Sequence, residues 1–407
     1  MLKTAIPWQR PPELKRVISL GAMVFYGLGT IVGAGIYVLI GKISGLAGSW
    51  TPLAFLVAAV ISSFTGLSYA ELVGRFPRSA GEAVYIENAF HQPWLTQLVG
   101  WSVVLTGIVS ASTLIKGFAG YFISLFGGLE PVIIVILLSS ICLLTCSGVK
   151  QSVNLAVAIT FLELGGLLII VLVSTESLTN AENWQTWKEG LYAPSWSGIA
   201  AAAFLAFYAF IGFEDMVNMA EEVTDAATAL PKAIIIAIVC SGAIYLIVGL
   251  VAVVAVPSAE LAASLSPLTT IVENSTWFPA FLMTCISLIA ILNGAVVQVL
   301  MAPRVVYGIT QNSASLSFLA AINPRTQTPI LATLLVTLFI LVFSLWLPIT
   351  QLAQLTSTVI LCLFVLINSA LVIIKIRGSH EGFEVYFWVP VSGIITSSLL
   401  LIAQFVI

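Results

Sequence analysis

Long stretches without a single Asp, Glu, Lys or Arg are the feature that most constrains this chain. A helix needs about 20 apolar residues to cross the hydrocarbon core of a bilayer. Such stretches cover 17–40, 43–70, 93–115, 131–149, 151–175 (interrupted only by Glu163), 190–213, 233–259, 274–303, 326–374 and 385–407. The run 326–374 is long enough for two helices, with a natural turn at 347–350 (LPIT). We therefore predict eleven membrane-spanning helices.

Composition supports a lipid environment. Of 407 residues, 59% are apolar and only 8% are charged, whereas a soluble domain carries about 25% charged residues. The apolar runs are continuous rather than alternating, which argues against a β-barrel. A net charge of −3 provides no basic face for nucleic acid. The first apolar run is also too long for a signal peptide.

The basic residues predict the orientation of the chain, because Lys and Arg accumulate in cytoplasmic loops. With a cytoplasmic N-terminus, 12 of the 15 Lys and Arg residues fall on the cytoplasmic side. Only Lys42, Lys116 and Lys188 fall at or toward the outside. Eleven spans place the C-terminus outside, and the longest polar outside loop is 176–195.

We expect no metal, no cofactor and no catalytic centre. The five Cys residues all lie in apolar runs, and neither of the two His residues lies within a span. The sequence contains no metal-ligand cluster and no Ser-His or paired-Asp arrangement. These observations disfavour an intramembrane enzyme.

Two spans contain signals for a break in mid-membrane. The first has four glycines in the nine residues 27–35, each of which weakens a helix by about 1 kcal/mol relative to Ala. The sixth contains Gly212, followed closely by Glu214 and Asp215. Spans one and six correspond in two five-helix halves, and paired broken helices in inverted halves point to the binding site of a secondary transporter. The alternative for the first span is close helix packing through small residues.

Several motifs resemble those of the amino acid–polyamine–organocation superfamily, particularly its cationic amino acid transporter-like members. They are 29–37 (GTIVGAGIY), 69–72 (YAEL), 75–82 (RFPRSAGE), 208–214 (YAFIGFE), 221–223 (EEV), 230–234 (LPKAI), 292–294 (LNG), 303–307 (PRVVY) and 323–329 (NPRTQTP). The resemblance runs from about residue 14 to residue 374.

The resemblance implies an all-α membrane protein that carries amino acids or amines by alternating access. It implies inverted repeats at about 17–174 and 197–374, discontinuous first and sixth helices, and an extra helix at 384–407. Substrate carboxylate binding falls on Val32, Gly33, Ala34, Gly35 and Ile36. Amine binding falls on Tyr208, Ala209 and Ile211, and Phe207 and Phe210 are candidate gate residues.

Glu163 is the candidate for proton coupling. Some proton-coupled members of this superfamily carry a lysine in the fifth helix, but counting from 148–152 (GVKQS) places Glu163 at that position here. An ionised carboxylate in mid-membrane costs at least about 2.5–3.5 kcal/mol. Glu163 should therefore carry a proton or pair with a donor. The alternative is a structural hydrogen bond between helices.

Other polar residues of the spans have structural as well as functional interpretations. We expect Glu71 to pair with Arg75 or Arg78, Lys116 to reach the interface, and Glu214 and Asp215 to cap a half-helix. Asn293 must find a partner within the membrane. A channel or a substrate-sensing receptor on a transporter scaffold is the alternative function. We expect no strict dependence on sodium, and no protein partner is indicated.

Overall fold

The structure is a computed structural model that describes residues 16–78, 81–147, 153–273, 275–310, 316–323, 326, 328–378 and 382–406. For Ala34 and residues 153, 154, 405 and 406, only the backbone is described. Several predicted cytoplasmic residues lie outside these ranges, namely Lys3, Arg10, Lys15, Lys150 and Arg325. Parts of the motifs at 75–82 and 323–329 also lie outside them.

The described chain is all-helical apart from short 3-10 turns and loops. Its helices are α1 (Leu20–Ala47), α2 (Thr51–Arg75), α3 (Gly81–Phe90), α4 (Pro93–Phe126), α5 (Glu130–Cys146), α6 (Val153–Val173), α7 (Thr175–Thr179), α8 (Ala181–Leu191), α9 (Trp196–Phe207), α10 (Ala226–Ala255), α11 (Ser258–Ala263), α12 (Pro267–Val272), α13 (Ala280–Thr310), α14 (Ile330–Trp346), α15 (Ile349–Arg377) and α16 (Trp388–Val406).

The predicted spans correspond to apolar helices of this fold. Seven helical segments of the described residues are long and apolar enough to cross a membrane, and three shorter apolar helices accompany them. The first segment, Leu20–Arg75, contains both α1 and α2. The predicted turn at 347–350 is confirmed, because α14 ends at Trp346 and α15 begins at Ile349. The predicted outside loop 176–195 differs, since most of it forms α7 and α8.

The predicted break in the first span is wrong, because α1 is one uninterrupted helix through the glycine-rich stretch 27–35. The glycines are used for close approach instead. A Cβ atom added at Gly33 would lie 2.7 Å from Oε1 of Glu163, and one added at Gly35 would lie 2.7 Å from Cβ of Ala209. Packing of neighbours against these bare backbone positions outweighs their low helix propensity.

The sixth span is broken, as predicted. After α9 ends at Phe207, a 3-10 turn covers Tyr208–Phe210 and Ile211 is extended. Gly212 then has a φ of +129°, and a Cβ atom added there would lie 2.7 Å from the carbonyl carbon of Thr30. A second 3-10 segment, Glu214–Met219, follows before α10 starts. Only glycine combines this backbone conformation with so close an approach to α1.

Four of the predicted spans pack against the span five places later in the chain. α1 packs against α9, α2 against α10, α4 against α13, and α5 against α14. Each pair joins a predicted span to the span five places later in the chain. The broken region is also tied to the start of α1, since the amides of Val17 and Ile18 donate to the carbonyl oxygen of Glu222. This arrangement places the broken sixth span against the middle of α1.

Candidate functional site

A central cavity lies beside the broken sixth span. Its walls include Gly35 of α1, Ser110 of α4, Tyr208 and Ile211 of the break, and Asn293 of α13. The break therefore opens onto a cavity whose lining combines glycine, hydroxyl, amide and carboxyl groups from several helices.

Contacts of α1 hold the break in place. The hydroxyl of Thr30 lies 3.1 Å from the carbonyl oxygen of Gly212 and 3.0 Å from that of Gly27. The phenol of Tyr245 lies 2.7 Å from the carbonyl oxygen of Ile31 and 2.8 Å from that of Ala209. Carbonyl groups released by the break are thus partly satisfied by side chains, as buried backbone groups must be.

The two acids after the break have different surroundings. Glu214 accepts a hydrogen bond of 2.9 Å from the amide of Gly212, so its carboxylate holds the turn. Asp215 lines the central cavity and accepts a hydrogen bond of 3.3 Å from Nε2 of Gln298. Asp215 is therefore the acidic group that faces the central cavity.

A second cavity adjoins the first and shares Ser110, Ile211, Asp215 and Gln298 with it. Glu82 lines this second cavity and also an open vestibule, which His91 and Arg304 border. Successive spaces share lining residues from the break to the vestibule, and the three are together called the path below.

Glu82 lines two of these three spaces, the second cavity and the vestibule. Its residue is only 5% exposed, and the phenol of Tyr69 is 3.5 Å from Oε1. Burial raises the pKa of Glu82 to about 7, and the nearby charge of Asp215 acts in the same direction. Glu82 belongs to α3, outside the apolar segments that could span a membrane, and its residue lines the vestibule.

Glu163 lies between three helices, fully buried in α6. Its Oε1 accepts a hydrogen bond of 3.3 Å from Nδ2 of Asn293 in α13. Its Oε2 has no hydrogen-bond partner among the described residues and lies against the glycine face of α1, 2.9 Å from a Cβ atom added at Gly33. Sequence analysis left Glu163 and Asn293 as separate candidates, and the structure brings them together.

Some of the predicted substrate-binding residues line the central cavity, and others do not. Gly35, Tyr208 and Ile211 line the central cavity. Val32, Ile36 and Ala209 are fully buried, Gly33 lies against Glu163, and the side chain of Ala34 lies outside the described part. Because α1 is continuous, its amides here are in helical hydrogen bonds rather than freed for a carboxylate.

The two candidate gate residues are packed against other aromatic rings. Phe207 meets Phe364 edge-on with ring centroids 5.6 Å apart, and Phe210 meets Tyr245 at 5.0 Å. Neither ring lines the central or the second cavity. Their gating role stays a prediction.

Ion pairs connect α2 to α15 and α4 to α5. Arg75 lies 2.6 Å and Lys375 3.0 Å from the carboxylate of Glu71, which is fully buried. The predicted pairing of Glu71 with Arg75 is therefore confirmed. Lys116 is paired within the protein, since its Nζ lies 3.1 Å from both Glu130 and the carbonyl oxygen of Ser344, and its reach to the membrane interface stays a prediction.

Thr30, Ser110 and Gln298 line the central cavity but were not singled out in the sequence. Gln298 gave a usable signal, because an amide within an apolar run must find a polar partner. The two hydroxyl residues gave none, since Ser and Thr commonly bond to the carbonyl of their own helix.

Comparison with known proteins places the chain in a family. A family model described as amino acid permease matches residues 17–407. The chain belongs to the amino acid permease family. It is a multi-pass membrane protein, and its family consists of transporters.

Individual relatives are distant but extend along most of the chain. A vacuolar cationic amino acid transporter 4 of Arabidopsis thaliana is 25% identical over 386 residues, which are 90% of this chain and 64% of the relative. A branched-chain amino acid permease of Bacillus subtilis is 26% identical and is covered to 82%, against 89% of this chain. Human cationic amino acid transporter 4 is 27% identical and is covered to 61%, against 90% of this chain. The chain thus spans somewhat less than two thirds of the length of the cationic transporters.

Proposed function

We propose that this permease carries an amino acid across its membrane by alternating access. The observation that supports this most is the central cavity at the broken sixth span, which adjoins a second cavity and, through shared lining residues, an open vestibule. A site buried in mid-membrane and reached from one side at a time is what alternating access requires. Inverted repeats at about 17–174 and 197–374 belong to this proposal, and they are consistent with the pairing of α1–α9, α2–α10, α4–α13 and α5–α14.

The proposed ligand position follows from the chemistry of the cavity walls. Asp215 is an acceptor for the α-ammonium group of an amino acid. The hydroxyls of Ser110 and Tyr208, which lie 3.0 Å apart, are donors for its carboxylate. Gly35 and Ile211 shape the wall between these groups. For the amides of residues 32–36 to bind the carboxylate as the resemblance implies, α1 must open in the substrate-bound state.

Substrate class is proposed from the acidic lining. Glu82 and Glu214 line the second cavity together with Asp215, and neither cavity has a Lys, Arg or His among its lining residues. A cationic side chain placed beyond the central cavity meets this acidic surface, which favours lysine or arginine over leucine. Relatives named for cationic and for branched-chain amino acids are both among those found.

We further propose that the path opens to the cytoplasm. Arg304 and His91 border the vestibule, and Arg377 binds the backbone of Asn88 beside His91. Arg304 and Arg377 are among the residues whose charge predicts the cytoplasmic side. Toward the opposite end, the phenol of Tyr121 donates to the carbonyl oxygen of Tyr37 at 2.7 Å. A cell-membrane location and a cytoplasmic N-terminus belong to this proposal.

Proton coupling is proposed at Glu163. Among the described residues, the carboxyl group of Glu163 has one amide donor and no ion-pair partner. Burying it in the ionised form would therefore cost much free energy. A carboxyl group that carries a proton here and releases it in another conformation is suited to coupling. On this proposal Glu163→Gln retains counterflow, in which no net proton moves, but loses proton-driven accumulation. An unchanged pH profile in that variant would make Glu163 merely structural.

The test of transport is counterflow in proteoliposomes. Vesicles loaded with unlabelled L-arginine or L-leucine are placed in the corresponding labelled amino acid, in sodium-free buffer. A transporter accumulates label transiently, whereas a substrate-sensing receptor binds without accumulation. Absolute dependence on sodium would contradict proton coupling.

The matched variants are Asp215→Asn and Asp225→Asn. Both exchange an acid for an amide, but Asp225 lies at the start of α10 and does not line the cavities described. Loss of a charged hydrogen bond costs about 1.5–3 kcal/mol, so Asp215→Asn should raise the Kd for substrate by roughly 10–100-fold. Equal affinities in the two variants would remove Asp215 from the site.

A further inference from the structure

Glu82 is the acid that the second cavity and the vestibule have in common. It lines both spaces, and the second cavity also contains Asp215, the proposed acceptor for the α-ammonium group of the substrate. A substrate held at Asp215 whose side chain extends from the central cavity toward the vestibule therefore meets the carboxyl group of Glu82. This position is suited to distinguishing a basic side chain from an aliphatic one.

Aromatic packing holds a hydroxyl group beside Glu82. The ring of Tyr69 lies nearly perpendicular to that of Phe213 in the broken region, with ring centroids 5.6 Å apart, and its centroid is 5.8 Å from that of Phe364. The phenol oxygen of Tyr69 is 3.5 Å from Oε1 of Glu82, and Tyr69 itself lines the second cavity. The carboxyl group of Glu82 is thus positioned at the wall of this cavity.

The three acids of the second cavity differ in their donors. Glu214 accepts from the amide of Gly212 at 2.9 Å, and Asp215 accepts from Nε2 of Gln298 at 3.3 Å. Apart from its own backbone amide, the donor to Glu82 among the described residues is the phenol of Tyr69. A carboxylate has about four acceptor positions, so Glu82 can accept further hydrogen bonds from a ligand.

The titratable groups around Glu82 do not neutralise its charge within the second cavity. α3 packs against α4 and α15. On α4, Lys116 and Tyr121 have partners away from α3, and on α15 both Lys375 and Arg377 contact other oxygen atoms. The remaining titratable groups of the second cavity, the vestibule and α3 are Tyr69, Tyr85, Glu87, His91, Glu214, Asp215, Glu222 and Arg304.

We infer that Glu82 makes the substrate selectivity of this site depend on pH. When Glu82 is ionised, its carboxylate accepts hydrogen bonds from the ammonium or guanidinium group of a lysine or arginine substrate. When it is protonated, it offers this group no counter-charge, and the advantage of a basic over an aliphatic side chain falls. Glu82 is a specificity-determining residue on this account, and the inference rests on the proposed transport function.

The direction of the effect follows from linkage. Burial raises the pKa of Glu82 to about 7, so ionisation occurs as pH rises through this value. A basic substrate favours the ionised form, and its Kd should therefore fall with rising pH, by at most about tenfold per pH unit. The total change expected for one charged hydrogen-bonding group is roughly 10–100-fold. The Kd for leucine should not fall with it.

The experiment measures Kd for L-arginine and for L-leucine on the purified full chain between pH 5 and pH 8.5. The side chain of arginine stays protonated over this range. The quantity to follow is the Kd for leucine divided by the Kd for arginine, because a proton effect that is common to both substrates, such as one at Glu163, cancels in this ratio. The ratio should rise by roughly 10–100-fold with pH.

Glu82→Gln should make the ratio independent of pH, at the low value of the unmodified protein at pH 5. Glu87→Gln is the matched control, since it makes the same exchange on α3 at a residue that lines the vestibule but not the second cavity, and it should retain the rise. Glu163→Gln should also retain it.

Tyr69→Phe keeps the test informative if Glu82→Gln does not fold. It retains the ring but removes a donor that favours the ionised form of Glu82, so the midpoint of the rise should move to higher pH. A loss of packing alone would not move this midpoint.

Two kinds of failure can be told apart. If the unmodified protein binds neither amino acid and performs no counterflow, the proposed function fails. If it binds and transports normally, but the ratio is constant with pH or the rise persists in Glu82→Gln, only the role of Glu82 is overturned.

Discussion

Gly33→Ala tests the contact between α1 and Glu163 directly. The added Cβ atom would lie 2.7 Å from Oε1 and 2.9 Å from Cδ of Glu163. Reaching an ordinary contact of 3.4 Å requires the carboxyl group to move by about 0.7 Å in a packed site. Overpacking of this kind costs about 1–3 kcal/mol, and the better helix propensity of Ala returns up to about 1 kcal/mol. We expect net destabilisation of up to about 2 kcal/mol.

The assay is thermal unfolding of the purified protein in detergent, with Gly165→Ala as the matched control. Gly165 is also inside an apolar helix, α6, but a Cβ atom added there has no atom within 4 Å. Gly165→Ala should therefore be neutral or stabilising. Gly33→Ala should lower the unfolding temperature and slow uptake, because the displaced carboxyl group is the proposed proton carrier.

Second-site changes make the reasoning refutable. Glu163→Ala removes the clashing atoms, so Gly33→Ala should cost little or become favourable in that background, a coupling of about 1–3 kcal/mol. Glu163→Gln has the same size as the native side chain and should give no rescue. Equal effects of Gly33→Ala in the Ala and Gln backgrounds would show that the two residues do not touch.

Three further predictions concern the break and the path. Gly212→Ala should abolish uptake, since it forces a positive φ on an L-residue and places Cβ 2.7 Å from the carbonyl carbon of Thr30; uptake assays at equal membrane expression check this. Glu82→Gln should flatten the pH dependence of stability. The pKa of Glu82 is about 7 in the folded protein and 4.5 ordinarily, so the free energy of unfolding of the native protein falls by up to about 3 kcal/mol as pH rises from 4.5 through 7. Thermal unfolding of both proteins at pH 5 and pH 8 measures this difference. Glu71→Gln should weaken the ion pairs with Arg75 and Lys375 and lower the unfolding temperature without altering Kd for substrate.

The spans could be predicted from the sequence because lipid leaves little choice. Continuous apolar runs must be helices in a bilayer, and the turn at 347–350 lies where the pattern placed it. The break of the sixth span was also predicted, because Gly212 lies at the end of the apolar run 190–213 and is followed closely by Glu214 and Asp215. Glutamate at 214 then stabilises the turn through the amide of Gly212.

The first span could not be read in the same way. Glycines lower the cost of opening a helix, but they also allow neighbouring helices to approach its backbone. A sequence does not distinguish an opened helix from a closely packed one. The outcome depends on Thr160, Glu163 and Ala209, which come from distant parts of the chain. Gln298 was missed for a related reason: a helix that is apolar on all sides gives no indication of which face lines a cavity.

The arrangement of α1 suggests how proton and substrate act on one element. Gly29 and Gly33 are four residues apart and lie on one face, against Thr160 and Glu163 of α6. Gly35 lies on another face, against Ala209 at the break. Both Glu163 and the break therefore contact α1 at positions that carry no side chain. A change in the charge of Glu163, or in the conformation of the break, acts on this same helix. Because such contacts are between packed surfaces rather than flexible side chains, a shift of α1 at one face must be accommodated at the other. If Glu163 carries a coupled proton as proposed, we expect no charged relay along α1 to be needed, because a rigid-body movement of the glycine-lined helix would connect the carboxyl group to the cavity.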